Sequence, residues 1–159
     1  ELIIKSQIVD ELQIPLFIAR PTLIYGLNDP HNGYGPNRFL RQALNNEKIS
    51  IFGKGEELRD HVSIDDVGRL ISEAVCHKSS GILNIASGKT ISFRAIAEKI
   101  VFLTNPSIEI TETPRAGEMP HNGFRPFDIK STTDYFPNFE YMDISEGLRK
   151  LVHDKRYSN

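Results

Sequence analysis

The feature that most constrains the fold is the short apolar run LFIA at residues 16–19. A run of this length without polar alternation is typical of a strand in a parallel sheet that is covered on both faces. Apolar residues at helical spacing precede it, at Leu2, Ile4 or Ile3, Ile8 and Leu12, and a second helical pattern follows at residues 37–46. Strands and helices that alternate in this way predict an α/β fold.

The rest of the chain continues the alternation. We predict strands at residues 49–52, 58–64, 81–86 and 107–112, and helices from about 65 to 77, from Thr90 or Ser92 to Leu103, and near 129–134 and 143–153. Ser63 and Asp66 have the spacing of a capping box in front of the first of these helices. Loops rich in Gly and Pro occupy residues 26–36 and 114–127. No strand leads into a G-x-G-x-x-G turn, so the signature of a complete dinucleotide-binding unit is absent.

Length, charge and cysteine content exclude several classes of protein. The 159 residues suffice for one core of ordinary size, and the net charge of -2 argues against a general nucleic-acid or acidic-membrane surface. No apolar run approaches the roughly 20 residues of a membrane span. The single cysteine, Cys76, leaves no internal disulfide and fits a reducing compartment, so we expect a cytoplasmic protein. Because Cys76 lies on the apolar side of a predicted helix, we expect its side chain to be buried.

Metal and serine-hydrolase chemistry have no support in the sequence. The five histidines never occur at i, i+3 or i, i+4 spacing, so no metal site is predicted. No G-x-S-x-G segment is present either. The side chains that remain for recognising a ligand are arginines and aromatics.

Two arginines stand in rigid settings. Arg59 follows a glycine-rich turn, and Arg115 lies in the loop segment PRAGE. A guanidinium group suits bidentate binding of phosphate or carboxylate, but acidic neighbours of Arg59 favour a surface ion pair, and the residues alone leave that interpretation ahead. Phe52 and Tyr25, each at a strand end, are either core residues or walls of a slot for a planar ligand.

Several blocks of sequence together resemble one family, the extended short-chain dehydrogenase/reductases, which are NAD-dependent sugar-nucleotide epimerases and dehydratases. Each block is weak alone, but their order and spacing are those of the family over residues 1 to about 151. The blocks are RPTLIYG at 20–26, IFGKGEELRD at 51–60 followed by DDV at 65–67, GILNIASG at 81–88, PRAGE at 114–118 and DIKS at 128–131.

The resemblance implies where in such an enzyme this chain belongs. It implies the last strands of a Rossmann-type sheet plus the small C-terminal substrate-binding lobe. Residues 1–30 would end a truncated NAD-binding domain, and residues 31–159 would form the lobe, interleaved with late Rossmann strands and helices. The glycine-rich NAD loop and the catalytic Tyr and Lys would lie upstream, and Lys5 is not that lysine. We therefore expect an inactive fragment with no catalytic residue and no bound cofactor of its own.

The resemblance also implies roles for residues at matching positions. The ligand would be a nucleoside-diphosphate sugar, and the full-length enzyme would use NAD or NADP and form a homodimer. The diphosphate would bind Arg59 and Arg115, and the base would pack against Phe52 and the backbone around Ser50. Asn37 would be the nearest candidate for a substrate-binding Asn. The segment with Pro21, Leu23 and Tyr25 would pass the nicotinamide end of the cofactor.

Two departures from the family pattern concern the substrate. Leu23 stands where many members have an Asn that touches the substrate, and His61 replaces a common aromatic residue. The leading hypothesis is the substrate-binding part of an NAD-dependent epimerase or dehydratase. Two alternatives remain: a non-catalytic nucleotide-binding regulator of the same fold, and an NAD(P)-dependent reductase of a non-sugar alcohol, which Leu23 would suit.

Overall fold

A computed structural model describes residues 1–157, without the side chains of Lys5, Gln7, Ile8 and Asp10. The side chain of Ile8, part of the helical pattern before β1, therefore lies outside the described residues. Strands and helices alternate along the described chain, and most strand pairs are parallel, which confirms the predicted α/β class.

The bounds of the elements follow the sequence pattern closely. The strands are β1 Phe17–Pro21, β2 Leu23–Tyr25, β3 Ile49–Phe52, β4 Leu58–Ser63, β5 Gly81–Ile85, β6 Thr90–Ser92, β7 Ile110–Thr113 and β8 Phe124–Arg125. The α-helices are α1 Leu2–Lys5, α2 Pro36–Leu44, α3 Ile64–Cys76, α4 Phe93–Thr104, α5 Lys130–Tyr135 and α6 Ile144–Tyr157. A π-helical segment, Ser6–Glu11, continues α1.

Strand β4 connects the elements that surround the candidate site. It pairs in parallel with β2 through its C-terminal half, and its N-terminal half pairs with antiparallel β6 and parallel β8. Two further parallel pairs, β1 with β5 and β3 with β7, complete the strand pairing of the described residues. One core packs α2, α4 and α6 around β3, and a second lies between α3 and the strands β4 and β5.

The expectation that β1 is covered on both faces is wrong for the described residues. Phe17 and Ala19 pack against the core beneath α3, but Arg20 is exposed and Ile82 on neighbouring β5 is 48% exposed. Side chains alternate across a strand, so the second face of the β1–β5 pair carries Ile18, which is half-buried, and Ile82, which is exposed. The described chain therefore covers this second face only in part.

The capping box before α3 is only half present. The Ser63 hydroxyl accepts a hydrogen bond from the Asp65 amide at 3.0 Å, so the helix does have its N-cap. Asp66 does not return a bond to Ser63. Its buried carboxylate accepts from the Met142 amide at 2.9 Å and from Arg69 at 2.7 Å. The Asp66 carboxylate, which would complete the capping box, instead links α3 to the segment before α6.

Other expectations also need correction. Cys76 is exposed, because the buried face of α3 carries Val67, Leu70 and Ala74, and Cys76 lies two residues and about 200° beyond the last of these.

The predicted strand at 107–112 begins later, at Ile110, and the loop at 114–127 contains a 3-10 turn and β8. Of the two possible caps of α4, Ser92 is the one that accepts a bond from a helix amide. Among the described residues, no helix is both long and apolar enough to cross a bilayer.

Candidate functional site

The site lies at the carboxyl ends of the paired strands β3 and β7. Phe52 ends β3 and pairs in register with Thr113, which ends β7. Arg115 follows Thr113 by two residues, so the parallel pairing brings Phe52 and Arg115 to one edge. The carboxyl ends of parallel strands are where open α/β sheets usually hold ligands.

A buried carboxylate joins the two predicted arginines. Glu57 is 7% exposed and Arg59 is 6% exposed, so the interpretation of Arg59 as a surface ion-pair partner is wrong. One Glu57 oxygen accepts a hydrogen bond from Nη2 of Arg59, and the other lies 3.0 Å from Nη1 of Arg115. The structure therefore places Arg59 and Arg115 on a single carboxylate.

The same arginine also holds the loop that carries Arg115. Nη2 of Arg59 donates to the Pro120 carbonyl at 2.8 Å, and Nη1 donates to the Leu58 carbonyl at 2.7 Å. Nη2 of Arg115 is buried and has no hydrogen-bond partner among the described residues. Two positive groups and one internal negative group give this cluster a net positive charge, and one of its buried donors is unused.

Aromatic side chains form the neighbouring wall. The ring of Tyr34 lies 4.7 Å from that of Phe52 and 4.5 Å from that of Phe93, and its hydroxyl accepts a hydrogen bond from the Phe52 amide at 3.0 Å. Burial raises the pKa of Tyr34. The amide of Phe93 donates to the Glu57 carbonyl at 3.3 Å, which connects this wall to the arginines. Phe52 itself is 40% exposed, so part of its side chain is accessible to a ligand.

The turn between β3 and β4 requires glycine at Gly55. Its φ is +70°, and a Cβ there would lie 2.9 Å from the Arg94 amide nitrogen. The Arg94 amide donates to the Gly55 carbonyl at 2.9 Å, so the turn is fixed against the start of α4. This tight turn brings Glu57 and Arg59 back beside the end of β3.

His61 lies two residues beyond Arg59 on the same face of β4, directly opposite Leu23 of β2 in the parallel register. Its side chain is buried, and neither ring nitrogen has a hydrogen-bond partner among the described residues. Burial lowers the pKa of His61 to about 4, with a smaller contribution from the positive charge of Arg59. The imidazole is therefore neutral near pH 7.

The buried imidazole predicts a pH dependence of stability. The pKa of His61 in the folded chain is lower than its ordinary value of 6.5, so the unfolded chain binds more protons between about pH 6.5 and 4. The free energy of unfolding should be highest above that window and fall by about 3 kcal/mol as the pH drops through it. Urea unfolding at pH 7 and pH 4.5 should show a smaller loss for His61→Phe than for the natural sequence. An equal loss in both proteins would contradict the assignment.

Asp60 fixes the loop after β5 from the opposite face of β4. Its fully buried carboxylate accepts hydrogen bonds from the Ser87 amide at 3.1 Å, the Ser87 hydroxyl at 2.9 Å and the Gly88 amide at 2.7 Å. The Thr22 hydroxyl donates to the Asp60 carbonyl at 2.9 Å. Asp60 thereby locks β4, and with it Arg59 and His61, to the end of the β1–β5 pair.

The remaining predicted site residues lie around this centre. Ser50 pairs with Thr111 inside the β3–β7 pair, with their hydroxyls 3.5 Å apart. Asn37, at the start of α2, donates to Asp29 at 2.8 Å and accepts from the Gly26 amide at 3.2 Å. It therefore braces the loop before α2, and no described contact links it to the arginines.

The predicted cofactor segment is divided between surface and core. Pro21 and Leu23 are exposed, whereas Tyr25 is 3% exposed and burial raises its pKa. The Tyr25 ring packs against Gly147 of α6, where a Cβ would lie 1.8 Å from the tyrosine hydroxyl. In this chain the side chain of Tyr25 is a core residue. A role for Pro21 and Leu23 beside a cofactor stays a prediction.

A cavity of about 580 Å³ lies beside the site. Its described lining includes His61, Ser87 and Tyr141, but neither Arg59 nor Arg115. The arginine pair therefore lies outside the described lining of this cavity. The residue that sequence reasoning missed is Glu57, which counted only as an acidic neighbour of Arg59. Residues two apart in a strand lie on the same face, so the spacing of Glu57 and Arg59 was the sequence signal that could have placed them side by side.

Comparison with known families identifies the family of this chain. Residues 3–86, more than half of the chain, match the NAD dependent epimerase/dehydratase family. The chain belongs to this family. The resemblance drawn from its motifs is confirmed.

Two relatives show how much of the length of such a protein this chain spans. It is 28% identical over 151 residues to a UDP-N-acetyl-alpha-D-glucosaminuronate decarboxylase of Bacillus cytotoxicus, covering 87% of this chain. It is 31% identical over 149 residues to a putative UDP-glucose 4-epimerase of Methanocaldococcus jannaschii, covering 89% of this chain. The chain spans 46% of the length of each of these relatives.

Solved structures of epimerases share the fold. A UDP-N-acetylglucosamine 4-epimerase from Methanobrevibacter ruminantium, in complex with UDP-N-acetylmuramic acid, superposes with a TM-score of 0.83 at 21% identity, covering 100% of this chain and 51% of that chain. A UDP-glucose 4-epimerase from Thermotoga maritima, with UDP-glucose, gives a TM-score of 0.79 at 23% identity, covering 94% of this chain and 48% of that one. Within the family fold, this chain corresponds to about half of an epimerase.

Proposed function

We propose that this chain is the part of an NAD-dependent nucleotide-sugar epimerase or dehydratase that binds the nucleoside diphosphate. The observation that carries the proposal is the buried arrangement in which Arg59 and Arg115 share the Glu57 carboxylate beside an unused buried donor of Arg115. A diphosphate offers two charged groups, and two guanidinium groups can meet them with bidentate hydrogen bonds.

The aromatic wall suits the nucleobase. Phe52 is 40% exposed at the end of β3, two residues after Ser50, so a planar base could pack against it there. The relatives and the two epimerase structures described above are named for UDP-sugars, which supports a UDP-sugar as the ligand class. Held by its nucleotide, such a ligand would present its sugar to a nicotinamide.

The chemical step would need groups beyond this chain. We propose that residues 1–30 complete a nucleotide-binding domain, that residues 31–159 form the substrate lobe, and that the catalytic residues and the NAD site lie in the remainder of the protein. The partly covered face of the β1–β5 pair supports this arrangement, as do the apolar side chains of Leu23 and Ile24, each 42% exposed. Exposed apolar side chains on such a sheet are what the helices of a complete nucleotide-binding domain would cover.

A second candidate keeps the fold and changes the substrate. Leu23 presents an exposed apolar side chain next to the neutral His61, a pairing that also suits a non-sugar alcohol. An NAD(P)-dependent reductase of such an alcohol would not require the two arginines to bind a diphosphate.

Turnover by the complete natural protein separates these candidates. We expect the protein, supplied with NAD, to bind UDP-sugars saturably and to convert at least one of them, as followed by chromatography of the nucleotide products. Binding without conversion would indicate a nucleotide-binding regulator. Reduction of a non-sugar alcohol without UDP-sugar binding would indicate the reductase. The absence of any saturable UDP-sugar binding contradicts the proposal.

A further inference from the structure

We infer that Glu57 is an internal anion that occupies the arginine site and that a phosphate group of the ligand replaces on binding. Glu57 would then set how tightly the site holds a diphosphate. The inference rests on the proposed nucleotide site, and it concerns a residue that the motif resemblance does not assign to the ligand.

The contacts of the two arginines carry the first step. Glu57 takes a terminal N–H of Arg59 with one oxygen and a terminal N–H of Arg115 with the other. Bidentate binding of a phosphate needs these same terminal groups. Nη2 of Arg115 is the one buried arginine nitrogen without a partner among the described residues, so a ligand that binds the terminal nitrogens of both guanidinium groups meets Glu57 on Nη2 of Arg59 and on Nη1 of Arg115. The ligand must therefore compete with the carboxylate.

Charge supports the same conclusion. With Glu57 in place, the three buried or nearly buried side chains carry one net positive charge, whereas the two arginines without it would carry two. A buried guanidinium group that loses its counter-ion is strongly destabilised. Removing the Glu57 charge therefore destabilises the empty site more than the diphosphate-filled site, because the ligand supplies the missing negative charge.

The loop can stay in place during the exchange. Arg59 keeps its hydrogen bonds to the carbonyls of Pro120 and Leu58, neither of which involves Glu57. Release of the carboxylate thus does not remove every contact that holds Arg59 and the loop of Arg115. The two guanidinium groups remain near each other when the phosphate takes the place of Glu57.

The test compares diphosphate affinity in charge variants of the complete natural protein. Glu57→Gln removes the competing charge at nearly constant shape and should bind UDP at least about tenfold more tightly, as measured by isothermal titration calorimetry. Glu57→Asp keeps the charge, but its shorter side chain cannot reach both arginines, so about a threefold gain is expected. Glu56→Gln is the matched control, since Glu56 is an exposed neighbour with the same charge. It should change the affinity by less than about threefold.

Each outcome decides the inference. Equal or weaker UDP binding by a folded Glu57→Gln variant would overturn it, and if that variant does not fold, equal or weaker binding by Glu57→Asp would do so. A second titration with inorganic pyrophosphate separates this inference from the proposed function. Tighter binding of pyrophosphate by Glu57→Gln without any UDP binding would support Glu57 as the competing anion and contradict the proposed nucleotide ligand. UDP binding without a gain in either variant would keep the nucleotide and reject Glu57, and no binding of either probe by any variant would reject both.

Discussion

Asp60→Asn should lower the free energy of unfolding by about 3 kcal/mol. The carboxylate is fully buried and accepts three hydrogen bonds, two of them from backbone amides of the loop after β5. Asn has the same shape, so no cavity forms, but it loses the charge and turns an N–H donor group toward donors. The cost therefore comes from hydrogen bonding and charge alone.

The measurement is urea unfolding at neutral pH. Asp65→Asn is the matched control, because this nearby aspartate is half exposed and its partner is Lys150 at 3.0 Å, also half exposed. Surface pairs of this kind contribute less than about 1 kcal/mol. If Asp60→Asn cost no more than Asp65→Asn, the loop after β5 would not depend on the buried carboxylate, and the structural account of Asp60 would be wrong.

The elements were predictable because local patterns determined them. Apolar residues at helical spacing in α2 predict its buried side, and Phe39, Leu40 and Ala43 do lie in the core, with Leu44 partly buried. The helix start at Ser63 has the predicted cap. The turn at Gly55 was expected from its glycines, and its left-handed backbone explains them. Hydrophobic periodicity and turn residues depend on only a few neighbouring positions, so helices, strands and turns can be predicted from the sequence.

The environment of Arg59 was not predictable in the same way. Its acidic neighbours favoured a surface pair, but burial depends on β6 and β8, which pair with β4 from distant parts of the chain. The role of Glu57 likewise depends on Arg115, which is 58 positions away and reaches it only because β7 pairs with β3. Contacts of this kind follow from strand pairing, and a local pattern does not contain them.

The errors at β1 and Cys76 have a common physical origin. In both cases the sequence showed apolar character, and burial was inferred from it. An apolar run predicts that a face prefers to be covered, but only the fold decides whether the described chain supplies the cover. The partly covered face beside Ile82 is such a case, and Cys76 lies on the outer side of a helix whose buried stripe runs elsewhere.

Arg59→Ala should weaken UDP binding by the complete natural protein by about 100-fold, the second large effect that the structure predicts. The change removes a bidentate donor and leaves Glu57 paired with Arg115, so the site loses its net positive charge. Losing one partner of a buried, hydrogen-bonded charge pair costs about 2 to 5 kcal/mol, and 100-fold corresponds to about 2.7 kcal/mol. Arg149→Ala, which removes an exposed arginine of α6, is the control and should leave the affinity within about threefold.

The titration of these two variants with UDP tests the central claim most directly, since the claim is that a buried arginine pair binds the diphosphate of a nucleotide. Thermal unfolding of each variant shows whether it is folded at the temperature of the titration. We predict a dissociation constant about 100-fold higher for Arg59→Ala than for the natural protein, with Arg149→Ala nearly unchanged. A folded Arg59→Ala variant that binds UDP within about threefold of the natural protein would contradict the account.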